Sequence, residues 1–522
     1  MLRTSVAALI VVSIALPLYL LRLNGAAGLM VDDAWYMLLA KALAEGSGYA
    51  LISSPTAAIL PLYPPGYPAL LSLVFRASPD FPANVTLLKG VSIAAMMGVG
   101  LLTFVYARTH RQLTGEAAAC VAVATAIVPA FVFLATSTLM SECVSTLTLL
   151  AAVVLMHRGV EASEGRRRLL LTIAAAGVAA AAVLIRSAAA GLIVAAILWL
   201  LKERLWKQAA VFAAVVVIGL LPWMTYARVH APTAEQRAAH GGAVVYDYGD
   251  QFWMRWAGTP GLGRITIGDI PARIATNLTD VFARDMAGLF VPAFLRGPVE
   301  SGEEVVSLGG RMGLVTGGMG SAVATMGISL GFGGLILAGF IATARQRLTV
   351  VEFLVPIALA IVLLWPFWSF RFVLPLTPFL FCYFAIGLHT LTGSPRVVRI
   401  SLLCIIGLSL YDHAGYILHR QGQSQPSRDE WVGSVGEVDA ALGWIGDHLG
   451  ADGLVATTNP ALVYLRTGRK SITYDDPTVT LAAWKARGVR YLACLRPMDL
   501  PPGPAGYTVL YQSPARLWVI EL

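Results

Sequence analysis

Charge is what this sequence has least of. Asp, Glu, Lys and Arg together make up 13% of its 522 residues, about half the share found in soluble domains. That excludes an ordinary water-soluble chain, and domain counts based on soluble chain length do not apply. Cysteine is also scarce. The five cysteines are scattered, with Cys120, Cys143, Cys382 and Cys404 in apolar segments and Cys494 alone near the end. No CxxC pair occurs, so neither a disulfide framework nor a thiolate metal site is expected. The C-terminal region has no GxGxxG fingerprint and no P-loop, so no nucleotide is assigned to it. No internal repeat of about 20–50 residues is visible, which argues against a solenoid. The net charge of +8 tests first as a positive-inside bias, and no nucleic-acid partner is expected.

What the sequence has in abundance is apolar side chains, 57% of the total. Segments able to span a bilayer lie at roughly 5–23, 85–107, 115–134, 139–156, 169–186, 189–201, 209–227, 322–343, 350–365, 371–391 and 400–418, about eleven in all. The first follows a basic residue as a signal peptide does, but its apolar run is long and no small-residue cleavage site follows directly. It is read as an uncleaved span. With the N-terminus inside, the connections 108–114, 157–168, 202–208, 344–349 and 392–399 face the cytoplasm. They carry basic residues that include Arg108, Arg111, Arg158, Arg166, Arg167, Arg168, Arg345 and Arg347. The short outer turns 135–138, 187–188 and 366–370 carry none. This alternation fixes the expected topology.

Three regions then fall outside: residues 24–84, residues 228–321 and the tail from 419. The expected domains are a membrane catalytic domain over 1–418 and an extracytoplasmic α/β domain over 419–522. In the tail, helix patterns alternate with LVATT, KSITY and YLACL, and a hairpin closes the chain. The second loop holds an amphipathic helix pattern, GDIPARIATNLTDVFARDMAGLF. The glycine-rich run SGEEVVSLGGRMGLVTGGMG follows, which reads either as a mobile lid or as a plain connector.

The first loop organises the rest. Asp32 and Asp33 open it, and a short helix follows on the stripe Trp35, Leu38, Leu39, Ala42 and Leu43. Gly46 and Gly48 end that helix, and YPPGYP turns the chain into a second short helix. Both helices are too short to cross about 30 Å of hydrocarbon and read as interfacial. The plain role for an aspartate here is helix capping, and Asp33 is the one expected to do it. Three more charges sit at outer ends of spans: Glu142 in LMSECV, Arg186 in LIRSAA and Arg371 in SFRFVLPLTP. Charges inside apolar segments are functional candidates by default, although dipole pairing and snorkelling are the simpler readings. Topology brings all three to the face that bears Asp32 and Asp33. Such a set suits transfer from a lipid phosphate: a carboxylate takes a proton while arginines hold the phosphate.

The stretch DDAWYMLLAKALAEGSGY…YPPGYPALLSLVF, with LMSE, LIRSAAAGL and SFRFVLPLTPFL in order after it, resembles the GT-C glycosyltransferases. The nearest group is the bacterial relatives of protein O-mannosyltransferases and of the lipid A aminoarabinose transferase. The resemblance implies an all-α polytopic membrane protein with a small C-terminal α/β domain, in a bacterial inner membrane, with its active site outside the cytoplasm. It implies inverting transfer of a sugar from a polyprenyl-phosphate donor to a lipid, glycan or protein acceptor. Asp32 takes the role of general base. Asp33, where the family usually has glutamate, and Glu142 are further catalytic candidates. Arg186, followed by Ser187 rather than Gly or Pro, and Arg371 are donor phosphate-binding candidates. No cofactor and no metal are expected for this transfer. The rival readings are a flippase of lipid-linked sugars and a surface-polysaccharide polymerase or ligase. Transporters place charges at the midplane and repeat their halves, which this sequence does not do.

Overall fold

In the computed structural model, the structure describes residues 4–292, 295, 319–421, 430–450, 453–474, 479–501 and 506–522. The glycine-rich run 301–320 expected as lid or connector lies outside the described residues but for its last two. The chain forms two compact units. The first takes in Met1–Asn24, Lys89–Pro222 and Asp269–Gly422, and the second Gly25–Leu88, Trp223–Gly268 and Gln423–Leu522.

The first unit is a helical bundle. Among the described residues, eight helices of the chain are long and apolar enough to cross a membrane, and a bent pair makes a ninth. That pair, Gly115–Ala126 and Pro129–Thr136, breaks by 46°. Pro129 is the cause: it has no N–H to continue the ladder and suits the first turn of a new helix. Two shorter apolar helices, Ser187–Lys202 and Val350–Leu364, bring the total to the eleven segments read in the sequence.

Small residues set the closest helix approaches in this unit. Helix Met319–Gln346 crosses Thr377–Thr392 at Gly339 and Gly387. A β-carbon on either glycine would overlap the other helix's backbone, at Tyr383 and Leu335 respectively. In lipid, tight van der Waals contact of this kind drives helix association. Helices Glu142–Glu161 and Gly165–Ile185 pair through a short turn, with Ala175, Ala176 and Ala179 buried on the second.

Several buried charged side chains inside the bundle are paired. Lys89 Nζ donates to the carbonyls of Asn24 (2.8 Å) and Thr136 (2.9 Å). Arg111 Nη2 donates to Glu352 Oε1 at 2.7 Å, and the Tyr383 hydroxyl donates to the same oxygen at 2.5 Å. Glu352 also closes a capping box with Thr349 at the start of helix Val350–Leu364. Lys89, Arg111 and Glu352 thus each have partners, as the cost of burying a charge requires.

The second unit joins three separate pieces of chain. Its sheet has the order β2-β1-β3-β5-β4, with β1 Leu454–Thr457, β2 Ser471–Thr473, β3 Val489–Cys494, β4 Thr508–Gln512 and β5 Trp518–Glu521. β2, β1 and β3 run parallel, and β3, β5 and β4 antiparallel. Trp484, Leu492, Cys494, Trp518 and Ile520 form its core. The strands and closing hairpin expected from the sequence are those observed. Residues 25–88 and 223–268 pack with the tail in this unit. Ser471 N donates to Ser53 O at 2.9 Å, and Leu62 N to Val244 O at 2.9 Å. Trp223 meets Tyr49 edge-on at 5.3 Å.

Candidate active-site residues and relatives

In the second unit the adjacent aspartates have different surroundings. Helix Asp32–Ala44 begins right after Val31, whose φ of 65° is rare for a β-branched residue. This turn sends the two carboxylates different ways. Asp33 is fully buried, and its oxygens accept from the backbone N–H of Gly28 (2.8 Å), Met30 (3.0 Å) and Ala34 (3.0 Å). It holds the loop that leads into the helix, whereas the helix itself has no side-chain cap at its N-terminus. Asp32 is half-buried, and the Tyr63 hydroxyl donates to its Oδ1 at 2.7 Å. Tyr63 comes from the YPPGYP bend and packs on Tyr36, with ring centroids 4.9 Å apart. Burial first, and then the Asp32 charge, push the Tyr63 hydroxyl well above its usual range, so it stays a donor.

The tail supports this loop. Asn459 Nδ2 donates to the Gly28 carbonyl, and Leu462 packs on Gly28. Gly28 has φ +85°, and a β-carbon there would lie 2.7 Å from Leu462 Cδ1. A cavity of about 350 Å³ in the same unit is lined by Leu62, Trp223, Tyr246, Tyr248, Arg228 and Arg237.

In the first unit the three charged candidates meet. Glu142, the first residue of its helix, is fully buried. Its Oε1 lies 3.1 Å from Arg186 Nη1 and accepts from Arg371 Nε at 2.7 Å. Arg186 sits in the extended break between helices Gly165–Ile185 and Ser187–Lys202, with its side chain mostly buried. Phe372 lies under its guanidinium at 4.9 Å, and Nη1 also donates to Ser141 Oγ at 3.3 Å. Two guanidiniums thus converge on one oxygen of a fully buried carboxylate. Arg186 Nε and Glu142 Oε2 have no hydrogen-bond partner among the described residues. Nearby in sequence, Ser369 Oγ donates to Asp285 Oδ2. Burial pushes the Asp285 carboxyl up to about 7.

Sequence reasoning missed Tyr63, Asn459 and Asp285. A lone tyrosine in a proline bend, or an asparagine more than 400 residues from its partner, carries no local signal. Asp285 sits in an amphipathic pattern that reads as an ordinary solvated face.

Apolar helices of this number, broken at charged turns and joined to a small mixed sheet, define a multi-pass membrane protein of the GT-C fold. Residues 63–227 match the family model described as dolichyl-phosphate-mannose-protein mannosyltransferase. The chain is similar to ArnT from Cupriavidus metallidurans, solved bound to undecaprenyl phosphate. Identity is 14% and the TM-score 0.51 over 98% of this chain and 97% of that one. It is also similar to the Archaeoglobus fulgidus oligosaccharyltransferase, solved in complex with Zn and sulfate, at 14% identity and TM-score 0.57. That likeness covers 99% of this chain and 72% of the other. A second structure of that enzyme, tethered with an acceptor peptide, gives 12% identity and TM-score 0.56 over 94% and 68%. No curated protein matches the chain. The resemblance read from the sequence therefore holds for the fold along the chain and for the family model over residues 63–227.

Proposed function

We propose that this protein transfers a sugar from a polyprenyl-phosphate donor to an acceptor outside the cytoplasm, with inversion at the anomeric carbon. The observation that carries the reading is the buried cluster of Arg186 and Arg371 on Glu142. Its two convergent guanidiniums, and an Arg186 Nε that has no hydrogen-bond partner among the described residues, suit a phosphate leaving group. The likeness to a protein solved with undecaprenyl phosphate supports the same donor class.

In the step proposed, an acceptor hydroxyl or amine attacks the anomeric carbon and Asp32 takes its proton. The bond from that carbon to the phosphate oxygen breaks, and the polyprenyl phosphate leaves with the electron pair. Arg186 and Arg371 bind the charge that builds on the phosphate. Tyr63 orients Asp32 by its hydrogen bond, and Asp33 holds the preceding loop. Glu142 is then a positioning residue, not a base, because a carboxylate held by two guanidiniums is committed to them. The aromatic and arginine-lined cavity of the second unit suits a sugar-bearing acceptor.

The test is transfer from purified polyprenyl-phosphate sugar in liposomes, with mass spectrometry of surface glycans and glycoproteins from cells with and without the protein. Labelled product that requires the chain supports the reading. Movement of the lipid-linked sugar across the bilayer without transfer would show a flippase instead.

A further inference from the structure

The helix that starts at Glu142 ends in a second cluster that the transfer reaction does not use. It has 20 residues, so its ends lie about 30 Å apart. At the far end, among the basic connections, His157 and Glu161 stand one turn apart, and His110 follows helix Val85–Thr109. One ligand atom from each of the three lies within 4.8 Å of the others. We propose that His110, His157 and Glu161 bind a divalent transition-metal ion of the zinc class.

The pattern is a metal-binding one: two ligands at i and i+4 on one helix face, and a third brought by a neighbouring helix. Two imidazole nitrogens and one carboxylate oxygen suit Zn²⁺ and similar ions, not Mg²⁺ or Ca²⁺. The second observation is the state of the rings. His157 is 3% exposed, and its Nε2 has no hydrogen-bond partner among the described residues. Both ring nitrogens of His110 also lack one among these residues, although Nδ1 stands 3.4 Å from Glu161 Oε1, within ion-pair distance. The two rings stack at 4.3 Å. Buried polar atoms without partners are costly, and a shared ion would satisfy them together.

A cavity of about 380 Å³ is lined by all three residues and by Arg347 and His389. Three protein ligands leave one tetrahedral position, and the cavity gives it room for water or an anionic oxygen. Glu161 supplies one negative charge against two on the ion. With Arg347 beside it, an anion is the favoured fourth ligand. Arg111 adds little repulsion because Glu352 neutralises it.

The experiment uses the full chain in detergent, with an affinity tag that lacks histidine, stripped by chelator and reloaded with Zn²⁺ or Co²⁺. The expected result is one ion per chain by mass spectrometry of the metal, with the visible bands of tetrahedral Co²⁺. Glu161→Gln, at a half-exposed position that tolerates change, should lower affinity by at least the about 10–100-fold typical of losing even an outer partner. Its thermal midpoint without metal should stay unchanged. His110→Gln should lose the Co²⁺ bands, and Asp32→Asn should keep them. A chain that takes up little zinc has only a His–Glu ion pair there, and the proposal falls. Equal binding by Glu161→Gln and His110→Gln, or loss of binding in Asp32→Asn, places the ion elsewhere and overturns it as well.

Discussion

Replacing each of the two adjacent aspartates by asparagine separates chemistry from structure. Asp32 Oδ1 accepts a hydroxyl from Tyr63 at 2.7 Å, and an asparagine oxygen accepts it equally well. Asp32→Asn should therefore fold and keep its thermal midpoint. It cannot take a proton, so transfer should fall by about 10²–10⁴, or roughly 3–5 kcal/mol of barrier. Asp33→Asn is expected to behave in the opposite way. Asp33 uses one oxygen for Met30 and Ala34 and the other for Gly28. In asparagine the second oxygen becomes an NH₂, which faces the Gly28 N–H donor to donor. One buried N–H is stranded, at a cost of about 1–3 kcal/mol, and the charge-assisted strength of the other bonds is lost. On sequence alone Asp33→Asn serves as the milder control for activity. The structure makes it the variant that lowers stability.

The assay pairs transfer from polyprenyl-phosphate sugar in liposomes with a thermal unfolding scan in detergent. Near-normal turnover by Asp32→Asn would falsify its role as base. An Asp33→Asn protein as stable as the parent would refute the account of its three hydrogen bonds.

Three further expectations follow from other contacts. Glu142→Gln leaves Arg186 and Arg371 without their shared charge, a loss of about 3–5 kcal/mol for a buried pair. The variant should unfold earlier, whereas Arg371→Lys should weaken the apparent affinity for donor more than it lowers stability; the unfolding scan and donor titration separate the two. Gly28→Ala combines a positive φ with a clash on Leu462 and should cost about 1–3 kcal/mol, read as a lower midpoint; an unchanged midpoint would show that the loop yields freely. The pH dependence rests on Asp285, raised from 3.8 to about 7. The fold holds its proton more tightly than the unfolded chain does, so its stabilising contribution is full below about pH 4 and is lost as pH rises through 7. Asp285→Asn should flatten this dependence and be the more stable protein at pH 8; parallel stability profiles for variant and parent would refute it.

The sequence by itself determined the membrane class, the spans and the glycosyltransferase resemblance. These rest on signals that are local or additive along the chain. Apolar run length reports the spans because every buried backbone group must be satisfied inside its own helix. Charges inside those runs stand out because each is costly, so Glu142, Arg186 and Arg371 were legible one by one. The tail was legible for a similar reason, its strands and helices differing in period over a few residues.

Only the tertiary structure shows which partners those residues have. Asp32 and Asp33 are neighbours of the same chemical type, and only the strained turn at Val31 and the amides of Gly28 and Met30 distinguish them. Glu142 reads as a candidate acid until Arg186 and Arg371, 44 and 229 residues further along, are seen to close on one of its oxygens. The grouping of residues 25–88 and 223–268 with the tail was equally invisible. It is made by hydrogen bonds such as Ser471 N–H to the Ser53 carbonyl and the Asn459 side-chain amide to the Gly28 carbonyl. A hydrogen bond between residues hundreds of positions apart depends on where the folded chain places them and leaves no periodicity behind.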